Sequence, residues 1–307
     1  MIYGKEISCL MSSKQENNII ALLAVEKDGL TAVEIHKLLF VYAMEEEAKH
    51  SCEFIPYIKG CYSPTLARTL SKLQENHFIK EVEISGVPKI ALTAEGKWCA
   101  MGLQASAIMN EFLKRYTFRG NDLLEDVYCR YPYWAINSAI ASTVLKDKPE
   151  ALKAIKDARP KEGLKLASIG YEGRSFENYL NALIKSGTDV LCDVRKNPIS
   201  RIYGFSKSSL KNACEKLGIE YRHFPELGIP GESRKELNTQ DDYDKLFAWY
   251  ERNVLPKNDS FIDELIELLG AGKNIALTCF EADPAQCHRT RILNKISLKT
   301  GMDSVLI

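Results

Sequence analysis

Between Cys279 and Arg289 the chain reads Cys-Phe-Glu-Ala-Asp-Pro-Ala-Gln-Cys-His-Arg. Two thiols, an imidazole, a guanidinium and a glutamate carboxylate thus fall within three turns' worth of chain. Such groups can move protons, attack an electrophile or hold an anion. A second cluster, Asp193-Val-Arg195-Lys-Asn-Pro198-Ile-Ser200-Arg201, offers a carboxylate and two more guanidinium groups. Asp193 is either a general base or the partner that orients Arg195. Glu281 lies two residues past Cys279, so in an extended segment their side chains share a face. His288 can exchange a proton near neutral pH. Asp193, Glu281 and His288 are therefore the candidate catalytic residues. Arg195, Arg201 and Arg289 present rigid forks that match phosphate or carboxylate, with ion pairs to Asp193, Glu226 and Glu281 as the competing use. Cys279 and Cys287 are candidate nucleophiles or structural thiols. The order cysteine, five residues, arginine of P-loop phosphatases is lacking. The Cys-x7-Cys-His run is not a standard zinc spacing, and adjacent Cys and His rarely converge on one tetrahedral ion. The sequence reading therefore expects no metal and no cofactor.

Both clusters begin where a short apolar run ends, at 274–278 and at 190–192. Each run reads as a buried strand, and the first is followed by a helix from Arg289. In a parallel sheet that handover is the carboxyl edge, where open α/β folds bind their ligands. Short strands at 166–169, 189–192, 220–224, 275–279 and 304–307 alternate with helices at 176–185, 210–217, 242–251, 261–269 and 289–296. That alternation predicts a three-layer α/β fold with a mostly parallel sheet. Ser175 caps the first of these helices with Arg174 beside it, which suits an anion at a helix start. Gly170-Tyr-Glu-Gly173 lacks the third glycine of a dinucleotide fingerprint. The connection from 225 to 257 is long enough to wall or cover a ligand.

The phrases "SIGYEGRSFENYLNAL", "DVRKNPISRIYGFSKSSL", "GIEYRHFPELG" and "IALTCFEADPAQCHR" resemble the domain-of-unknown-function family numbered 488, over residues about 166 to 307. The resemblance implies a Rossmann-like α/β fold and a shared polar site, and it implies no reaction. Its motif positions fall on Gly170, Tyr171, Asp193, Arg195, Pro198, Ser200, Tyr221, Leu227, Gly228, Cys279, Glu281, Cys287, His288 and Arg289. Through it Tyr171, Ser200 and Tyr221 join Arg174, Ser175, Arg195, Arg201 and Arg289 as candidate ligand-binding residues.

The first half reads differently. A helix at 15–27 precedes a second that Thr31 caps with Glu34 three residues on, and Ser63-Pro64 starts a third. Alternation at 79–84 and 89–93 around Gly86-Val-Pro88 predicts a hairpin, and Thr93 opens another helix. This is the order of a winged helix-turn-helix. The phrases "LLFVYA", "YSPTLARTLSKLQENHFI" and "IALTAEG" resemble winged-helix domains of prokaryotic regulators and toxin–antitoxin accessory proteins. The expected organisation is a winged-helix domain over 1–110, a helical connector over 111–163 and the Rossmann-like domain over 164–307. The third helix would be the DNA reader, with Lys59, Arg68 and Lys72 as candidate contacts. Residues 1 to 80 carry 9 Lys or Arg against 10 Asp or Glu, so a protein partner or homodimer through this domain competes with DNA.

Overall charge is balanced at a formal net of +0, which gives no general pull toward nucleic acid or anionic membrane. Apolar runs are too short for a membrane span and no signal segment opens the chain, so a cytoplasmic protein is expected. Nine cysteines at irregular spacing, with no Cys-x-x-Cys, read as reduced thiols; Cys9, Cys52, Cys61, Cys99 and Cys129 are then structural. The expected function is nucleotide- or nucleic-acid-associated, as a hydrolase of a phosphate-bearing substrate. The alternative is a non-catalytic anion or nucleotide sensor coupled to a winged helix that grips DNA or protein.

Overall fold

The computed structural model describes residues 13–45, 53–103, 105–160, 163–234 and 237–307. Cys9, Cys52, Lys161 and Glu162 lie outside them. The chain divides into two compact units, Met1–Ala158 and Arg159–Ile307.

The first unit runs α1 (Lys14–Val25), α2 (Ala32–Glu45), β1 (Ile55–Tyr57), β2 (Gly60–Tyr62), α3 (Pro64–Glu75), β3 (Ile79–Ile84), β4 (Val87–Leu92), α4 (Ala94–Met101), α5 (Ala105–Arg115), α6 (Gly120–Arg130), α7 (Ala141–Val144) and α8 (Pro149–Asp157). Side chains set the helix starts. Thr31 Oγ1 accepts from Glu34 N at 3.2 Å while Thr31 N donates to Glu34 Oε2 at 2.9 Å, a reciprocal cap. Ser63 accepts from Leu66 N at 3.1 Å, with Pro64 in the first turn of α3. The β3–β4 turn is tighter than Gly86-Val-Pro88: Ser85 and Gly86 both take positive φ, and Val87 and Pro88 are already in the strand. Two left-handed residues fit the twist of a two-residue hairpin. A short β1–β2 hairpin pairs Ile55 with Tyr62 and Tyr57 with Gly60; three-residue strands are too short to show alternation in the sequence. Cys99 departs from the reduced reading, being disulfide-bonded.

Two ionisable side chains of α2 are buried in this unit. Lys37 donates to the Cys61 carbonyl at 2.7 Å. His36 stacks on Tyr62 with ring centroids 4.6 Å apart, and its Nδ1 lies 2.8 Å from the Ala32 carbonyl. Burial first, and the Lys37 charge after it, bring His36 down to about 4 against the backbone bonds to Ala32 and Ser63. The unfolded chain takes up this proton near 6.5. Between those values the unfolded state therefore binds the extra proton, and stability falls as pH falls. The window runs from about pH 6.5 down to about pH 4 and is worth about 3 kcal/mol at its acid end. An NMR titration of the His36 ring should show it uncharged at pH 6; a midpoint at or above 6.5 would contradict this.

The second unit runs β5 (Leu166–Gly170), α9 (Phe176–Lys185), β6 (Val190–Asp193), α10 (Lys207–Lys216), β7 (Glu220–His223), α11 (Gln240–Asn253), α12 (Asp259–Gly270), β8 (Ile275–Cys279), α13 (Arg289–Thr300) and β9 (Val305–Leu306). The strands form one parallel sheet in the order β7-β6-β8-β5-β9. Side chains alternate through it. Val190 and Cys192 of β6 and Ile275 and Leu277 of β8 join a core with Phe247 and Tyr250 of α11, Ile262 and Leu265 of α12, and Ile292 and Ile296 of α13. Thr278 points the other way and receives the Tyr179 hydroxyl of α9 at 2.8 Å. Helices thus cover both faces, as a wholly parallel sheet of near-continuous apolar strands requires.

Candidate functional site

The parallel register brings the carboxyl ends of four strands level. Gly170 pairs with Cys279, and Asp193 pairs with Thr278 on one side and His223 on the other. Gly170 has to be glycine: a Cβ there would stand 2.0 Å from the Glu281 carbonyl oxygen. The segment after β8 lies directly on β5's exit, with Tyr171 N and Glu172 N both donating to the Phe280 carbonyl. Gly228 does the same for the other loop, where a Cβ would meet Lys196 N at 2.2 Å. Two glycines thus let two chemistry-bearing loops close on the sheet edge.

Asp193, fully buried, accepts four hydrogen bonds. Oδ1 takes Arg195 N at 3.1 Å and Arg195 Nε at 2.8 Å; Oδ2 takes Arg195 Nη2 at 2.5 Å and the Tyr221 hydroxyl at 2.6 Å. Arg195 Nη1 donates to the Tyr171 hydroxyl at 3.0 Å and the Phe205 carbonyl at 2.8 Å. Tyr171 in turn stacks on Phe205, centroids 4.3 Å apart. Burial by itself would lower the Arg195 pKa, but the bonds and charge of Asp193 outweigh it and hold the value above the ordinary one. Burial and then Asp193 push Tyr221 up, so its hydroxyl stays a donor. This is a bidentate pair with its remaining lone pairs satisfied, the geometry a buried ion pair needs. Of the two uses open to Asp193, orienting Arg195 is the one these bonds perform.

The other cluster sits beneath it. His288 Nε2 lies 3.0 Å from the Val194 carbonyl and His288 Nδ1 3.8 Å from Cys279 Sγ. Arg289 Nε donates to Cys287 Sγ at 3.1 Å and Nη2 to the Glu281 carbonyl at 2.6 Å, with the residue 1% exposed. Burial, then the neighbouring Cys279, push the Cys287 thiol well up, with Arg289 pulling the other way. A thiol held protonated is a poor nucleophile. Cys192 lies in the sheet core, its thiol also pushed up by burial.

Above these groups opens a cavity of about 540 Å³ lined by Tyr171, Arg195, Lys196, Asn197, Ile199, Ser200, Arg201, Ile202, Ile229, Gly231, Cys279 and Phe280. Among the described lining residues there are three cations and no carboxylate. Neither Lys196 nor Arg201 is in an ion pair among the described residues, and both are exposed. Ile199, Ile202 and Phe280 are exposed apolar side chains on the same lining. A larger cavity of about 850 Å³ in the first unit is mostly aliphatic, with Leu23, Val25, Val82 and Ile84 among its walls, and has none of this strand-end chemistry.

Of the expected ligand-binding residues, Tyr171, Arg195, Ser200 and Arg201 line the smaller cavity. Tyr221 and Arg289 instead support it from within the protein. Arg174 donates to the Ile307 carbonyl at 2.9 Å, and Ser175 caps α9 by accepting from Asn178 N at 3.0 Å. Lys196, Asn197 and Phe280 line the smaller cavity as well; of the three, only Lys196 carries a charge that marks it within the second motif. Lys59, Arg68 and Lys72 of the first unit are exposed, the last two four residues apart on one face of α3.

Fold and site together define an open parallel α/β domain with a polar carboxyl-edge pocket. Residues 175–296 match the family described as Domain of unknown function DUF488, which confirms the resemblance over that segment. No curated protein matches the chain. Among the described residues no helix is long and apolar enough to cross a membrane.

Proposed function

We propose that the second unit binds a phosphate-bearing ligand, a nucleotide or a nucleic-acid end, at the carboxyl edge of its sheet. The observation that carries this is the cavity lining: Lys196 and Arg201, exposed and in no ion pair among the described residues, stand beside Arg195, whose charge Asp193 already balances, and are flanked by Ile199, Ile202 and Phe280. Cations suit the phosphate, and an aromatic and aliphatic flank suits a base. Arg195 is held in place by Asp193 before any ligand arrives, which lowers the ordering cost of binding. Arg201→Ala should remove one charge-assisted contact, worth about 1.5–3 kcal/mol and therefore roughly 10–150-fold in Kd. Fluorescence anisotropy with a labelled nucleotide reads this directly, and an unchanged Kd would count against the site.

Hydrolysis of that ligand is the second reading, favoured by Cys279 belonging both to the cavity lining and to the His288 contact. Product analysis of the binding mixtures separates it from a non-catalytic sensor.

The first unit is, on this reading, a winged-helix module. Besides the helix order and the β3–β4 hairpin, Leu30 between α1 and α2 bridges Ile90 of β4 in antiparallel fashion, supplying the short third strand of that fold. The balanced charge of residues 1 to 80 favours a protein partner over DNA. Affinity for random duplex DNA should accordingly show little change between low and moderate salt. Steep salt-dependent binding would assign α3, with Arg68 and Lys72, to DNA instead.

A further inference from the structure

Four side chains at the end of β8 and the start of α13 converge more closely than their spacing suggests. One ligand-capable atom from each of Cys279, Glu281, Cys287 and His288 lies within 4.8 Å of all the others; Cys279, Cys287 and His288 are buried, and Glu281 is half-buried with its Oε2 sealed from solvent. We propose that these residues form a binding site for a zinc-class divalent transition-metal ion. Metal–sulfur and metal–nitrogen bonds of about 2.3 and 2.0–2.1 Å at a tetrahedral angle place S and N about 3.6 Å apart. Cys279 Sγ and His288 Nδ1 stand at 3.8 Å.

The hydrogen bonds around the cluster agree with a metal. The Val194 carbonyl can only accept, so His288 Nε2 carries the hydrogen, and the Nδ1 lone pair is left toward Cys279. A histidine that ligates a metal is oriented in this way, by giving its other N–H to a carbonyl or carboxylate. Arg289 lies against the cluster with Nε on Cys287 Sγ, while its buried Nη1 has no hydrogen-bond partner among the described residues. Two thiolates and one carboxylate carry three negative charges; a divalent cation returns two of them and Arg289 the third. Two sulfurs, one nitrogen and one oxygen are a donor set for zinc, iron or cobalt rather than for magnesium or calcium.

The sequence reading expects no metal because adjacent Cys and His rarely meet at one ion. Here the backbone changes direction between them: Cys287 is extended at φ −123°, ψ 133°, and His288 is already helical at φ −66°, ψ −16°. That change is what allows neighbouring side chains to turn to one point. The ion would tie β8 to α13 beneath the cavity, where Cys279 contributes to the lining.

The test uses the full chain, stripped with a chelator and titrated with cobalt(II). The expected result is one tightly held cobalt per chain, with the visible bands of tetrahedral coordination and a sulfur-to-cobalt charge-transfer band, both abolished by zinc. Glu281→Gln keeps both thiols and should weaken cobalt binding more than tenfold while retaining the charge-transfer band. The Cys279→Ser/Cys287→Ser double variant should lose that band. A folded double variant that keeps the wild-type spectrum would overturn the site. So would wild-type protein with only octahedral cobalt and no sulfur charge transfer, a result that needs no variant to fold. Neither outcome touches the phosphate reading, which is scored separately by nucleotide binding.

Discussion

Gly170→Ala is expected to disable the carboxyl edge while leaving the rest of the sheet able to form. The new methyl would sit 2.0 Å from the Glu281 carbonyl oxygen and 2.8 Å from its carbon, and backbone cannot step aside as a flexible side chain can. Overpacking of this kind costs about 1–3 kcal/mol. The displaced segment carries Glu281 and precedes Cys287 and His288. Ligand and cobalt affinity should therefore fall by more than the loss of stability explains. Urea unfolding alongside nucleotide and cobalt titrations checks this. A variant with wild-type stability and wild-type binding would mean the loop is not held as described.

The second large effect is Asp193→Asn. It leaves Arg195 buried at 6% exposure without its countercharge, and removal of one partner of a buried pair costs about 3–5 kcal/mol. Because Asp193 orients the Arg195 fork, nucleotide affinity should drop in the same variant, even at temperatures where it stays folded. If the variant instead bound ligand normally and lost only turnover, Asp193 would be a base rather than a positioning residue. Denaturant midpoints and Kd values measured on one preparation distinguish the two.

Much of the second unit is legible in the sequence. Its strands are short apolar runs closed by polar residues, and helix starts such as Ser175 carry their own capping chemistry, so element bounds fall within a few residues of expectation. Strand order was not legible. Nothing in the run 274–278 says that β8 enters between β6 and β5, yet that insertion puts Cys279 beside Gly170 and Thr278 beside Asp193. Burial was equally hidden. Arg289 and Arg201 look alike in sequence; one is sealed against Cys287 and the other stands exposed on the cavity lining. The β1–β2 hairpin and the Cys287–His288 convergence depend on local backbone angles that residue type does not dictate. In the first unit, Lys37 reads as one more polar position on a helix and is in fact buried against Cys61.

Calorimetric titration of the wild-type chain with a nucleotide and with its phosphate-free nucleoside tests the central claim most directly. The exposed cavity cations Lys196 and Arg201, beside the Asp193-held fork of Arg195, predict saturable binding of the nucleotide that weakens as salt is raised, and much weaker binding of the nucleoside. Equal affinity for the two, or no heat with any member of a panel of mono-, di- and triphosphates, would contradict it.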